Sequence, residues 1–132
     1  MKEKLEILLL DDETIVGNRL KPAIEKVNCN VEVFEEPQKA LNRIHEKEFD
    51  IVITDIMMAD INGIQVLEEV RKKSDTTKVI IITGYATVAL AREAMDKGAF
   101  DMIAKPFTPD NLRSVITKAA DSLGYKEIIT KT

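Results

Sequence analysis

The sequence predicts an α/β domain in which a parallel sheet lies between two layers of helices. Two observations carry that reading. Five short apolar runs alternate with five amphipathic segments along the chain, and the strongest runs, ILLL in 7–10 and VIII in 79–82, show no polar alternation. A strand with one wet face alternates between apolar and polar residues, whereas a strand covered on both faces need not. Runs of this kind suit a doubly wound sheet with right-handed crossovers.

The strands read, in order, as LEILLL (5–10), VEVF (31–34), DIVIT (50–54), KVIIIT (78–83) and the weaker FDMIA (100–104). VEVF alternates, which places it toward a sheet edge. The first helical segment, 13–27, presents Ile15, Val16, Leu20, Ala23, Ile24 and Val27 on one face, and Pro22 predicts a kink within it. The second, 37–47, opens with Pro37 in its first turn and buries Ala40, Leu41 and Ile44. The third, 64–73, carries Ile64, Val66, Leu67 and Val70, with Gly63 before it for a tight turn. The fourth, 87–97, stops at Gly98, and the fifth, 109–123, has Thr108 as cap and Leu112, Val115, Ile116, Ala119 and Leu123 facing inward. One domain over 1–124 is expected, with 125–132 a frayed tail or the start of a linker.

With 132 residues, 45% of them apolar and 32% charged, the chain is long enough to bury a real core. A net charge of −4 and an aromatic content of 5% leave no basic face or stacking platform, so direct nucleic-acid binding by this domain is not expected. The sequence contains no membrane-length apolar run, and its start, MKEKLE, is not that of a signal peptide, so a cytoplasmic protein without a membrane contact is expected. The single cysteine, Cys29, has no internal disulfide partner and reads as a structural residue. His45, the single histidine, lies in the polar stretch RIHEKE and reads as a surface residue.

Chemistry in an open parallel sheet gathers beyond the carboxyl ends of its strands. The residues that leave the strands are Asp11 and Asp12 after the first, Asp55 after the third, Thr83 after the fourth and Lys105 after the fifth. Three carboxylates brought together repel one another, and a small hard cation relieves that. Mg²⁺ takes a few carboxylate oxygens and leaves room for phosphoryl oxygens, while the hydroxyl and the ammonium suit the anion beside it. A carboxylate can also attack phosphorus, and Asp55, alone at the end of the central strand, is the best placed to do so. Asp11 and Asp12, adjacent to each other, are better suited to holding metal.

Taken together, DD at 11–12, DIMM at 55–58, TGYA at 83–86 and KPF at 105–107 resemble the receiver domain of two-component response regulators, in order and in spacing. The resemblance covers about 5–123, and the segment TGYATVALAREAMDKGAFDMIAKPF is most similar to receivers of the NtrC type, which precede ATPase and DNA-binding domains. It implies a CheY-like, flavodoxin-like fold with strand order 2-1-3-4-5. Asp55 would accept a phosphoryl group from a sensor histidine kinase or phosphotransfer protein. Mg²⁺ would be held by Asp12, Asp55 and the backbone carbonyl of Met57, with Asp11 acting through a water. Thr83 and Lys105 would meet phosphoryl oxygens, and the Lys105–Pro106 bond would be cis. Output would pass through the face made by helix 87–97, strand 100–104 and helix 109–123, to a second copy or an output domain.

Two positions depart from the usual receiver pattern. Met102 stands where an aromatic residue commonly follows the moving hydroxyl. A flexible thioether can fill the same gap, with Phe100, read as sharing its strand face, and Tyr85 as nearby aromatics. Ala59 replaces a common proline in the loop after Asp55. Two other functions fit parts of this pattern. A phosphohydrolase of the haloacid dehalogenase-like kind wants a second aspartate two residues after the nucleophile, where this chain has Met57. A phosphorylation-independent interaction module has no need of the five site residues, all of which are present. The reading is thus a phosphoacceptor switch with modest self-phosphorylation and self-dephosphorylation activity, not an enzyme acting on a substrate.

Overall fold

The computed structural model describes residues 4–56, 58, 61–84 and 87–125. Its elements are β1 (Leu5–Leu10), α1 (Thr14–Ile24), β2 (Cys29–Phe34), α2 (Pro37–Glu46), β3 (Ile51–Asp55), α3 (Gly63–Lys73), β4 (Lys78–Thr83), α4 (Val88–Asp96), β5 (Asp101–Ala104) and α5 (Pro109–Ser122). All strand pairs are parallel, in the order β2-β1-β3-β4-β5, which is the order the resemblance implied. β2 is an edge strand, as its alternation suggested.

The unbroken apolar runs are divided between two cores. Leu5, Ile7 and Leu9 of β1 pack with Ile51, Ile53, Ile80 and Ile82 against α1 and α5, where Ile24, Leu112 and Ile116 meet them. Leu8 and Leu10 pack with Val52, Val79 and Ile81 against α2, α3 and α4. Alternate residues of one strand therefore serve opposite layers, which is why these strands need no polar positions.

Several boundaries differ from the sequence reading for identifiable reasons. α1 ends at Ile24, two residues after Pro22, so the proline lies in the last turn, and Val27 is buried from the following turn. Gly17 lets α1 lie close to β2, since a Cβ there would sit 2.8 Å from Val33 Cγ1. The side chain of Ile15 lies outside the described residues. β2 begins at Cys29 because it pairs with Leu5, although Asn28, Cys29 and Asn30 look like turn residues; the Cys29 thiol is buried and donates to the carbonyl of Ile24 at 3.3 Å. α3 starts at Gly63 behind a capping box, in which Asn62 Oδ1 accepts from Gln65 N at 2.9 Å and Gln65 Oε1 accepts from Asn62 N at 2.8 Å. α4 and α5 both stop at glycines with positive φ, Gly98 at 99° and Gly124 at 93°, in the left-handed arrangement that closes a helix. α4 is the lightest-packed helix, with Ala94 its one fully buried side chain.

Phe100 and Met102 do not share a face. Phe100 precedes β5 and packs on the α1–α5 side, whereas Met102 packs on the α2–α4 side, because the alternation of the strand begins only at Asp101. His45 is exposed and lies 3.8 Å from Glu69.

Candidate functional site

The carboxyl edge of the sheet brings the predicted residues together. Asp55 closes β3, Thr83 closes β4, Asp11 and Asp12 follow β1, and Lys105 follows β5. Asp11, Asp55 and Thr83 are buried, with 1%, 5% and 0% of their surface exposed, while Asp12 is exposed. The three aspartates each offer an oxygen within 4.8 Å of the others.

Hydrogen bonds to backbone carbonyls fix this arrangement. Asp11 N donates to Phe34 O at 3.1 Å, Ile56 N donates to Ile82 O at 3.0 Å, and Thr54 Oγ1 donates to Asp55 O at 2.9 Å. Gly63 N then donates to Ile56 O at 3.0 Å, drawing the start of α3 tightly under Asp55. The Lys105–Pro106 peptide is cis, and Lys105 N donates to Thr83 O at 2.7 Å, so the two strand ends that carry the hydroxyl and the ammonium are joined directly.

Lys105 is the counter-charge of the cluster. Its Nζ lies 3.0 Å from Asp55 Oδ2, 3.5 Å from Asp11 Oδ2 and 3.8 Å from Glu13 Oε1. Burial pulls the ammonium down, but the hydrogen bond to Asp55 and the charges of Asp11, Asp55 and Glu13 outweigh it, and Lys105 is held above the ordinary lysine range. Asp11 is pushed above the usual carboxylate range, chiefly by burial, against the lowering effects of the Glu13 N–H bond and of Lys105. The sequence pattern assigns Glu13 no role in the site. Its one signal in sequence is its place directly after Asp11 and Asp12, as the third acid in the run LLLDDE at 8–13.

Hard oxygen donors that converge from one loop and a strand end fit a small divalent cation, with Asp11, Asp12 and Asp55 as the residues that would hold it. Two expected participants, Met57 with its backbone carbonyl and Tyr85, lie outside the described residues, as do Ala59 and the tail after Tyr125. No helix among the described residues is long and apolar enough to cross a membrane.

Comparison with known proteins agrees with this geometry. The response regulator receiver domain family matches residues 7–117. The transcriptional regulatory protein ZraR of Escherichia coli K12 is 32% identical over 117 residues, which are 89% of this chain and 26% of ZraR. A putative NtrX-like response regulator of Rickettsia typhi is 35% identical over 120 residues, 89% of this chain and 25% of that protein. The chain thus spans about a quarter of the length of these curated relatives. Among solved structures, a CheY-like response regulator receiver domain protein from Methanospirillum hungatei JF-1 superposes with a TM-score of 0.88 at 27% identity, covering 95% of this chain and all of that one. A receiver domain protein from Clostridium thermocellum gives 0.84 at 31% identity, covering 89% of this chain and 95% of that one. Receiver domains bind Mg²⁺ at an acidic pocket, and the aspartate cluster provides such a pocket here. With the fold, the strand order and the acidic edge all in agreement with a match that covers most of its length, this chain belongs to the response regulator receiver family of two-component signalling, with NtrX-like proteins among its relatives.

Proposed function

We propose that Asp55 accepts a phosphoryl group from a phosphohistidine of a sensor kinase or phosphotransfer protein, and that the phosphorylated domain controls an output partner. The observation that carries this reading is the ion pair of Lys105 with Asp55 inside a cluster of three aspartates. An Asp55 oxygen attacks phosphorus while the bond from phosphorus to the imidazole nitrogen breaks, its electron pair leaving with the imidazole. Asp12, Asp55 and the backbone carbonyl of Met57 would hold Mg²⁺, with Asp11 acting through a water, and the positive charge of the ion would let an anion enter. Lys105 turns from the Asp55 carboxylate toward a phosphoryl oxygen, and Thr83 donates its hydroxyl to another. Slow attack of water on the acyl phosphate resets the switch.

The output follows from how the strand ends are tied. Because Lys105 N donates to Thr83 O, a pull on either residue is felt by both β4 and β5. α4 follows Thr83 in the chain, buries little, and carries Val88 and Met95, the large apolar side chains that are most exposed among the described residues, at 71% and 48%. Its loose packing suits a two-state element, and the face formed by α4, β5 and α5 suits a second copy or an output domain. Met102 fills the space left as Thr83 moves, with Tyr85 as a further moving side chain. Residues 1–124 would act as one cytoplasmic receiver unit that does not itself bind nucleic acid.

The test is a comparison of ¹H–¹⁵N spectra with and without acetyl phosphate in Mg²⁺. The reading expects shifts concentrated at Thr83, α4 and β5, and none of them in Asp55→Asn. Phosphorylation without spectral change beyond the immediate site would refute the switch.

A further inference from the structure

Glu13 occupies the N-cap position of α1, where Ser, Thr, Asp or Asn would close the first turn, yet its side chain makes no capping bond. A bond in this turn comes instead from Asp11, whose Oδ1 accepts the Glu13 N–H at 2.9 Å. The Glu13 carboxylate reaches Lys105 at 3.8 Å while its side chain is 65% exposed. Helix capping therefore does not explain it. Its contact is with the one ammonium that the phosphoryl site uses.

Charge decides what this residue does. Lys105 and one divalent cation would together balance Asp11, Asp12 and Asp55. Glu13 adds a further negative charge at the solvent side of the cluster and competes for Lys105. An anion arriving freely from solvent meets that charge along its whole approach, whereas a phosphohistidine on a docked protein is held in place by contacts elsewhere.

Resting on the phosphoacceptor reading above, we infer that Glu13 is a specificity-determining residue that disfavours free dianionic phosphodonors relative to protein-borne ones. A unit charge roughly 8 Å from a dianion, in water and at low salt, changes the encounter about three- to fivefold, about half that on a logarithmic scale for a monoanion, and little at high salt.

The experiment measures phosphorylation rates by intact mass at saturating Mg²⁺ for the wild type, Glu13→Gln and the distant control Glu25→Gln. Acetyl phosphate serves as dianionic donor and phosphoramidate as monoanionic donor, each at low and high ionic strength. Mg²⁺ affinity is measured separately by calorimetry. Glu13→Gln is expected to speed labelling by acetyl phosphate about threefold and by phosphoramidate less than twofold, with the difference lost at high salt. It is also expected to weaken Mg²⁺ binding about twofold, while Glu25→Gln changes neither. Equal rates for Glu13→Gln and wild type, a gain independent of donor charge or salt, or unchanged Mg²⁺ affinity would overturn the inference and leave the phosphoacceptor reading intact. Absence of labelling in every protein with both small donors, and from a phosphorylated kinase as well, would overturn both.

Discussion

Replacing Gly63 by alanine tests the claim that backbone packing beneath Asp55 holds the site. A Cβ at this position would lie 2.5 Å from Asp55 O and 2.9 Å from Ile56 Cα. Both obstacles are backbone, so neither can rotate away, and α3 or the end of β3 must shift by at least about 0.5 Å to reach an ordinary contact. Overpacking of this kind costs about 1–3 kcal/mol, and the better helix propensity of alanine returns up to about 1 kcal/mol. The net expectation is a loss of about 1–2 kcal/mol, or a fall in Tm of roughly 3–10 °C for a domain of this size. Misplacing a reacting atom by this much also costs roughly tenfold in rate. Gly84→Ala is the control, since among the described residues nothing lies within 4 Å of a Cβ there and its φ is not positive. It should be neutral or stabilising by under about 1 kcal/mol. Thermal melts and initial phosphorylation rates of the two variants, measured side by side, decide the matter. Equal melting temperatures and equal rates would refute the packing argument.

Further outcomes follow from the charges. Glu32 accepts from Arg43 at 2.8 and 3.1 Å and from Lys47 at 2.8 Å, and the Arg43 bond leads in lowering its pKa to about 2. A depressed carboxylate stabilises the fold above its unfolded pKa near 4.5 and loses that contribution as pH falls toward 2. Partial exposure limits it to about 1 kcal/mol, so urea unfolding should show wild type and Glu32→Gln differing by that amount at pH 6 and converging near pH 2. Lys105→Met removes the ammonium from three carboxylates and should tighten Mg²⁺ binding several-fold by calorimetry. Mg²⁺ at about 100 times its Kd should stabilise the wild type by about 2.7 kcal/mol in denaturant titrations, and Asp12→Asn should lose most of that effect at the same concentration.

How much of this was legible in the sequence depends on what each feature rests on. The strands β1, β3 and β4 were plain because both of their faces are covered, which leaves unbroken apolar runs. The start of β2 was hidden because its first residues are polar and are held by pairing with β1 rather than by propensity. The early end of α1 follows from where Pro22 falls, and the capping box of α3 joins Asn62, just before the helix, to Gln65 in its first turn, both of which look like ordinary surface residues. The convergence of Asp11, Asp12, Asp55, Thr83 and Lys105 was readable because parallel strands carry their last residues to one edge. The sequence points to Gly63 through turn geometry, whereas its φ is not positive and what matters is the missing Cβ against Asp55. The contact of Glu13 with Lys105 joins residues far apart in sequence through two long side chains, which no local pattern signals. The division of Phe100 and Met102 between two cores likewise required knowing where β5 begins.

The most direct test of the central claim is the intact mass of the protein after incubation with acetyl phosphate and Mg²⁺, beside Asp55→Asn and a sample treated with EDTA. The account predicts a gain of one phosphoryl group in the wild type, lost in both controls. A gain that survives Asp55→Asn, or none with acetyl phosphate and none from a phosphorylated kinase although Mg²⁺ binds, would contradict it.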